Sequence, residues 1–141
     1  MKITRTLLGL AVAAAAIVGT AAPAAAADTC DFSMTSLKAR NLDKDNGRQT
    51  DFVWLQVEQR WFPSGGDGVE FELGDTRTAA SFGHPDAGFG SDGLEVRLVL
   101  DKSPLNVTVD RIVIACDAVS DRKVTFDDGD AVYDLVYDVT D

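Results

Sequence analysis

The chain has 141 residues, and its 13 lysines and arginines are outnumbered by 23 aspartates and glutamates, for a formal net charge of −10 at pH 7. So acidic a surface repels phosphate backbones and anionic lipid head groups, which argues against a nucleic-acid partner and against membrane binding. The length is enough for one modest domain that buries its own core.

Residues 1–27 have the features of a secretory signal peptide. Lys2 and Arg5 provide the positive start, residues 7–18 form an apolar run, and small residues suited to cleavage follow. The run is short for a membrane anchor, and Ala and Pro rather than basic stop-transfer residues come after it. We therefore predict a secreted bacterial protein with one monomeric domain at residues 28–141. Removal of the two leader cations would change the formal charge from −10 to −12.

The chain contains two cysteines, Cys30 and Cys116. In a protein that leaves the reducing cytoplasm, a single disulfide between them is the natural expectation. It would join the start of the mature chain to a late strand, and closing so long a loop stabilises a fold by roughly 4 kcal/mol in the chain-entropy model. A cysteine held in a disulfide does not act as a nucleophile.

Apolar and polar residues alternate along most of the mature chain, which is the period of a half-buried β-strand. On the clearest strand Val53, Leu55 and Val57 point one way, whereas Trp54 and Gln56 point the other. The predicted strands cover residues 33–40, 53–58, 69–73, 94–100, 105–116, 122–126 and 131–139, with a short strand around 77–81 and a hairpin turn at 127–130. Seven or eight short strands without an amphipathic helix predict an antiparallel β-sandwich.

Two places interrupt the alternation. The apolar residues change parity between Val109 and Ile112, which predicts a bulge or a turn near Asp110 and Arg111. Residues 74–93 lose the pattern and are rich in Gly, Pro and Asp, so that we expect mainly a long exposed loop there.

No catalytic constellation is recognisable in the sequence. His84 is the single histidine, it lies among Gly and Pro, and no serine occupies a G-x-S-x-G elbow. A zinc site would need a second histidine or spare thiols. We therefore predict that the protein is not an enzyme and has no catalytic residues.

The loop at residues 41–51 presents several oxygen donors. Asp43, Asp45, Asn46 and Asp51 supply the carboxylate and amide oxygens that calcium, a hard cation, prefers. The loop does not fit the twelve-residue EF-hand frame. Asp, Asn and Gly are also favoured in ordinary turns, because they tolerate the backbone conformations that turns require. From these residues alone, both interpretations remain open.

Two segments resemble a known family. Residues 37–57, LKARNLDKDNGRQTDFVWLQV, resemble the start of a C2 (C-two) domain, the calcium- and phospholipid-binding β-sandwich of protein kinase C and synaptotagmin. Residues 94–119, LEVRLVLDKSPLNVTVDRIVIACDAV, resemble a later strand of that domain, its acidic loop and the returning strand. The resemblance implies a sandwich whose loops meet at one end.

The same resemblance implies a calcium site. It places ligands at Asp45 and Asp51 in the first loop, and at Asp101 and Asp110 around the third. In the third loop a serine replaces the second aspartate of the family, and the cationic Lys102 precedes it. Losing a carboxylate and adding an ammonium weakens calcium binding, so we expect calcium as a weakly held cofactor.

Aromatic residues offer a different function. Trp54 projects from the polar face of its strand, and Trp61 and Phe62 follow shortly after, so a stacking platform for a sugar is one interpretation. Burial of the tryptophans between sheets is the other. A third role, protein binding or inhibition, would use the loop at residues 83–93. We predict a non-catalytic binding module for an extracellular protein or carbohydrate.

Overall fold

A computed structural model of the chain describes residues 19, 29–44, 49–102 and 104–141. The predicted signal peptide, apart from residue 19, and its cleavage position lie outside these residues, as does Asp45. No helix in the described ranges is both long enough and apolar enough to cross a membrane.

The described residues form ten β-strands and one short 3₁₀ helix. The strands are β1 (Cys30–Asn41), β2 (Asp51–Val57), β3 (Arg60–Phe62), β4 (Val69–Phe71), β5 (Thr76–Thr78), β6 (Asp86–Phe89), β7 (Leu94–Lys102), β8 (Leu105–Ile114), β9 (Val119–Asp127) and β10 (Val132–Thr140). The 3₁₀ helix covers Ala79–Phe82.

The strands pair into two antiparallel sheets. In sheet A, β1 pairs with β10 and β10 with β9, while β5 and β6 pair with successive parts of β1. In sheet B, β2 pairs with β7 and β7 with β8, while β3 and β4 pair with successive parts of β2. One edge of each sheet is thus broken into two pieces, so ten strands fill eight positions. The predicted antiparallel β-sandwich is confirmed.

The core lies between the sheets and is built by alternate residues of their central strands. On β2 the predicted inward residues Val53, Leu55 and Val57 are fully buried. Large side chains of both sheets complete the core, namely Phe32, Leu37, Phe71, Phe82, Leu98, Phe126, Tyr133 and Leu135. Burying each such side chain stabilises the fold by about 1.5–3 kcal/mol relative to leaving it exposed. The period-two pattern therefore predicts the core face correctly on these strands.

A β-bulge interrupts the pairing of β7 with β8. Leu98 faces Asp110, but the next residue Val99 faces Thr108, so Val109 is the extra residue of β8. Because of this insertion, apolar residues on the two sides of the bulge face the inward residues of β7 although they have opposite parity in the sequence. The irregularity predicted near Asp110 is confirmed as a bulge.

The prediction of a long exposed loop at residues 74–93 is wrong. The segment contains β5, the 3₁₀ helix and β6, and β6 pairs with the first residues of β1. Phe82 and Phe89 are buried in the core. Their strands are too short to show an alternating pattern among glycines and prolines. The protein-binding role predicted for residues 83–93 thus loses the long exposed loop on which it depended.

The predicted strand at residues 69–73 is shorter in the structure. It ends at Phe71, and the chain turns at Gly74, whose φ of +86° favours glycine. Leu73 lies in this turn and is exposed rather than inward-facing.

The disulfide between Cys30 and Cys116 is confirmed, with the two Cα atoms 5.5 Å apart. Cys30 begins β1 in sheet A, and Cys116 follows the last residue of β8 in sheet B. The bond therefore links the two sheets at one end of the sandwich, which we call the disulfide end. The opposite end, where β1 leads into β2 and where β7 stops, is the loop end.

Replacing both cysteines with serine should lower the free energy of unfolding by roughly 4 kcal/mol, because the unfolded chain regains the freedom that an 86-residue separation removes. Urea denaturation of the oxidised protein and the variant measures the difference. Reductant should bring the wild-type protein down to the level of the variant and leave the variant unchanged. Equal stability of the two oxidised proteins would contradict this account.

Candidate functional site

A buried carboxylate stands at the start of β2, at the loop end. Asp51 shares the inward parity of Val53, so its side chain enters the end of the core and is buried. Its Oδ2 accepts hydrogen bonds from the hydroxyl of Tyr133 at 2.6 Å and from the backbone N–H of Asp43 at 3.0 Å. Burial raises the pKa of Tyr133, and the hydrogen bond to Asp51 raises it further. Tyr133 is therefore a neutral hydroxyl donor that links β10 of sheet A to β2 of sheet B.

A lysine completes this arrangement from the end of β7. The Nζ of Lys102 lies 2.6 Å from Oδ2 of Asp43, two residues beyond β1. The side chain of Asp43 has an exposed fraction of 0%, and that of Lys102 only 24%. Because a buried charge costs several kcal/mol unless it is paired, the ammonium compensates the charge that Asp43 carries into the fold. We call Asp43, Asp51, Lys102 and Tyr133 the loop-end cluster.

The predicted calcium ligands lie in different places. Asp45 is outside the described residues, and Asp51 belongs to the loop-end cluster, where its Oδ2 already accepts two hydrogen bonds. Asp101 precedes Lys102 on β7 and pairs with Asn106 of β8. The structure therefore brings two of the four predicted ligands to the loop end.

Asp110 lies further along the sheet. It pairs with Leu98, three residues before Asp101 on β7, which is roughly 10 Å along a strand. Its Oδ1 accepts the N–H of Arg111 at 2.7 Å, and its Oδ2 the N–H of Asp127 at 3.4 Å. Within the described ranges, three or more His, Cys, Asp and Glu side chains nowhere gather in a way that would hold a metal ion. Calcium binding by the four aspartates stays a prediction.

The sequence does not reveal the part that Tyr133 plays in this cluster. Alternation on the closing strand identifies it only as a core residue. Its hydroxyl is the one signal of a polar partner, because a buried tyrosine hydroxyl usually finds a hydrogen bond. Which acceptor it meets depends on how the two sheets are placed against each other.

A second candidate site lies on the outer face of sheet B. Trp54 points outward from β2, and Trp61 of β3 pairs with Gln56, so both indoles stand on the same face. Their ring centroids are 6.5 Å apart and the planes meet at 88°. Trp61 is 40% exposed, whereas Trp54 is 9% exposed. The two tryptophans thus meet edge to face, with one ring exposed, rather than as the flat platform expected.

The segment at residues 63–68 folds back over Trp54. A Cβ at Gly68 would come within 3.0 Å of the indole, so the glycine allows the backbone to lie directly against the ring. Between this segment and β8 lies an open groove of about 700 Å³, which we call the aromatic groove. It is lined by Trp54, Arg60, Trp61, Phe62, Pro63, Ser64, Gly65, Gly66 and Asn106. Its floor and walls are mainly apolar, with a few polar groups able to orient a ligand.

Comparisons with known proteins give likenesses of fold alone. No family model matches the chain, and no curated protein does. Among solved structures, the first C2 domain (domain A) of plant extended synaptotagmin 1 is 11% identical, covers 82% of this chain and 96% of its own, and has a TM-score of 0.40. Human GIVD cytosolic phospholipase A2, in complex with methyl gamma-linolenyl fluorophosphonate and terbium chloride, is 10% identical, covers 79% of this chain, and has a TM-score of 0.41.

The chain spans about 17% of the length of that phospholipase. A C2 domain is thus among the solved structures that this chain resembles, in line with the resemblance of its sequence. At identities of 10–11% and TM-scores of 0.40–0.41, these likenesses carry no argument about calcium, lipid or activity. The fold class is established by the two sheets themselves.

Replacing Tyr133 with Phe should lower the free energy of unfolding by about 1–3 kcal/mol, because the buried carboxylate of Asp51 loses a hydrogen-bond donor. Tyr137→Phe is the matched control, since within the described residues its hydroxyl makes no hydrogen bond. Urea denaturation of the two variants measures the contrast. Equal losses would show that the contact between Tyr133 and Asp51 adds nothing.

Proposed function

We propose that the chain is a secreted, non-catalytic binding module that binds a carbohydrate in the aromatic groove. The observation that carries the proposal is the half-exposed ring of Trp61, held edge-on by Trp54 beside the polar groups of Asn106 and Arg60. A monomeric soluble protein rarely leaves so large an aromatic surface in a concave site without a ligand.

The chemistry of the groove suits a sugar ring. A pyranose has an apolar face of C–H groups and a rim of hydroxyls, so it packs on an aromatic ring while its edge forms hydrogen bonds. Trp61 supplies the ring, and the side chains of Ser64 and Asn106 supply donors and acceptors at the border. The groove volume of about 700 Å³ lies within the range of about 300–1,000 Å³ that small-ligand sites occupy.

Charge favours a neutral glycan over an anionic one. The chain carries a formal charge of −10, and the field of such a surface repels anionic polysaccharides. Arg60 is the cation of the groove lining, but its guanidinium donates to the carbonyl of Asp86 at 2.8 Å and lies 5.5 Å from the ring centroid of Phe62. These contacts fix the side chain as part of the wall.

Binding without catalysis fits the lining of the groove. Glycoside hydrolysis generally uses two carboxyl groups that flank the scissile bond. No carboxylate and no histidine is among the described residues that line the groove, so a bound sugar would meet no general acid there. Secretion is supported by the disulfide, which is typical of proteins that work in an oxidising compartment.

Replacing Trp61 with Ala should weaken glycan binding by roughly tenfold or more, because the stacking surface is lost. An array of neutral β-linked oligosaccharides of glucose, N-acetylglucosamine, xylose and mannose identifies the ligand, and titration calorimetry then measures the affinity. Trp61→Phe should retain part of the binding.

Leu73→Ala is the matched control, since it removes an exposed apolar side chain outside the groove. It should leave the affinity unchanged. Absence of binding to every neutral glycan on the array, or equal binding by wild type and Trp61→Ala, would contradict the proposal.

A further inference from the structure

The loop-end cluster contains a cation that belongs to the chain itself. Asp43 and Asp51 bring two buried carboxylates to the loop end from the two sides of one loop, and Lys102 arrives from the neighbouring strand. The two carboxylates differ in their partners. Asp51 accepts the hydroxyl of Tyr133 and a backbone N–H, whereas Oδ2 of Asp43 lies against the lysine ammonium at 2.6 Å.

We propose that the ammonium of Lys102 is the resident cation of the loop end, that it occupies a site whose oxygen donors would otherwise take a divalent cation, and that removing it opens that site to calcium. The inference does not rest on glycan binding, because the aromatic groove shares no lining residue with the loop-end cluster.

The first argument is electrostatic. A carboxylate with an exposed fraction of 0% has lost the water that stabilises its charge, and this loss costs several kcal/mol unless a cation or several donors replace the water. A separation of 2.6 Å between Nζ and Oδ2 is a close, direct ion pair. Lys102 therefore provides the compensation that a bound metal ion would otherwise give to Asp43.

The second argument concerns competition for the same oxygen. Calcium needs six to eight oxygen ligands, and carboxylates are its strongest ones. Any calcium that used Oδ2 of Asp43 would have to displace an ammonium that the fold already holds at the end of β7. Because folding itself positions Lys102, its effective concentration at Asp43 is far above that of a free ion. The wild-type protein should therefore gain no stability from millimolar calcium.

The test is the melting temperature of Lys102→Met, in which the chain length is kept and the charge is lost. In chelator the variant should melt roughly 10 °C or more below wild type, because a buried charge loses its partner. Millimolar calcium should raise the melting temperature of the variant by several degrees through binding to the folded state, and that of wild type by less than about 1 °C. Lys102→Arg should remain close to wild type.

Lys123→Met is the matched control, because Lys123 is an exposed lysine of β9. It should melt within about 1 °C of wild type with or without calcium. Three results would overturn the proposal: a calcium-dependent rise in wild type, Lys102→Met as stable as Lys123→Met, or a destabilised Lys102→Met that calcium does not rescue.

A second measurement decides the matter if Lys102→Met does not fold. Reductive methylation of the folded wild-type protein, read by peptide mass spectrometry, compares each lysine with Lys123. Lys102 should react at least about tenfold more slowly, since a buried ion pair withholds the amine. Equal reactivity of Lys102 and Lys123 would overturn the proposal.

Discussion

Two contacts join sheet A to sheet B at opposite ends of the sandwich, and the core between them depends on both. At the disulfide end, Cys30 is bonded to Cys116. At the loop end, Lys102 of sheet B contacts Asp43, and Tyr133 of sheet A donates to Asp51. The first contact restricts the unfolded chain, whereas the second compensates charges that the folded chain buries. Together they fix how the sheets face each other, which apolar side chains alone specify less sharply.

This division of roles separates stability from binding. The loop end, where the sequence indicates a ligand site, is filled by side chains of the chain itself. The outer face of sheet B instead has the open groove, with Trp61 exposed above a largely buried Trp54. Central strands of a tied sandwich are a rigid base, and a stacking ring on such a base loses little conformational entropy when it binds. A binding module needs little more than this arrangement.

Much of the fold is readable from the sequence, because one face of each central strand must be apolar. That constraint predicts β2, β7 and β10, and the change of parity around Val109 predicts the bulge. It misses β6, since four residues with a glycine among them show too little alternation. The pairing of Lys102 with Asp43 is equally hidden, because it depends on two loops that meet only after the sheets have packed. The groove depends on a glycine, Gly68, that the sequence marks only as part of a turn.

The central claim is that ligands bind at the aromatic groove and not at the loop end. A ¹H–¹⁵N correlation spectrum recorded during titration with the best neutral oligosaccharide tests it directly, because the chain has only two tryptophans and therefore two indole N–H signals. The account expects saturable shifts of both indoles and of the backbone signals of Ser64 and Asn106, with those of Asp43 and Lys102 unmoved. Shifts confined to the loop end, or none at the indoles, would contradict it.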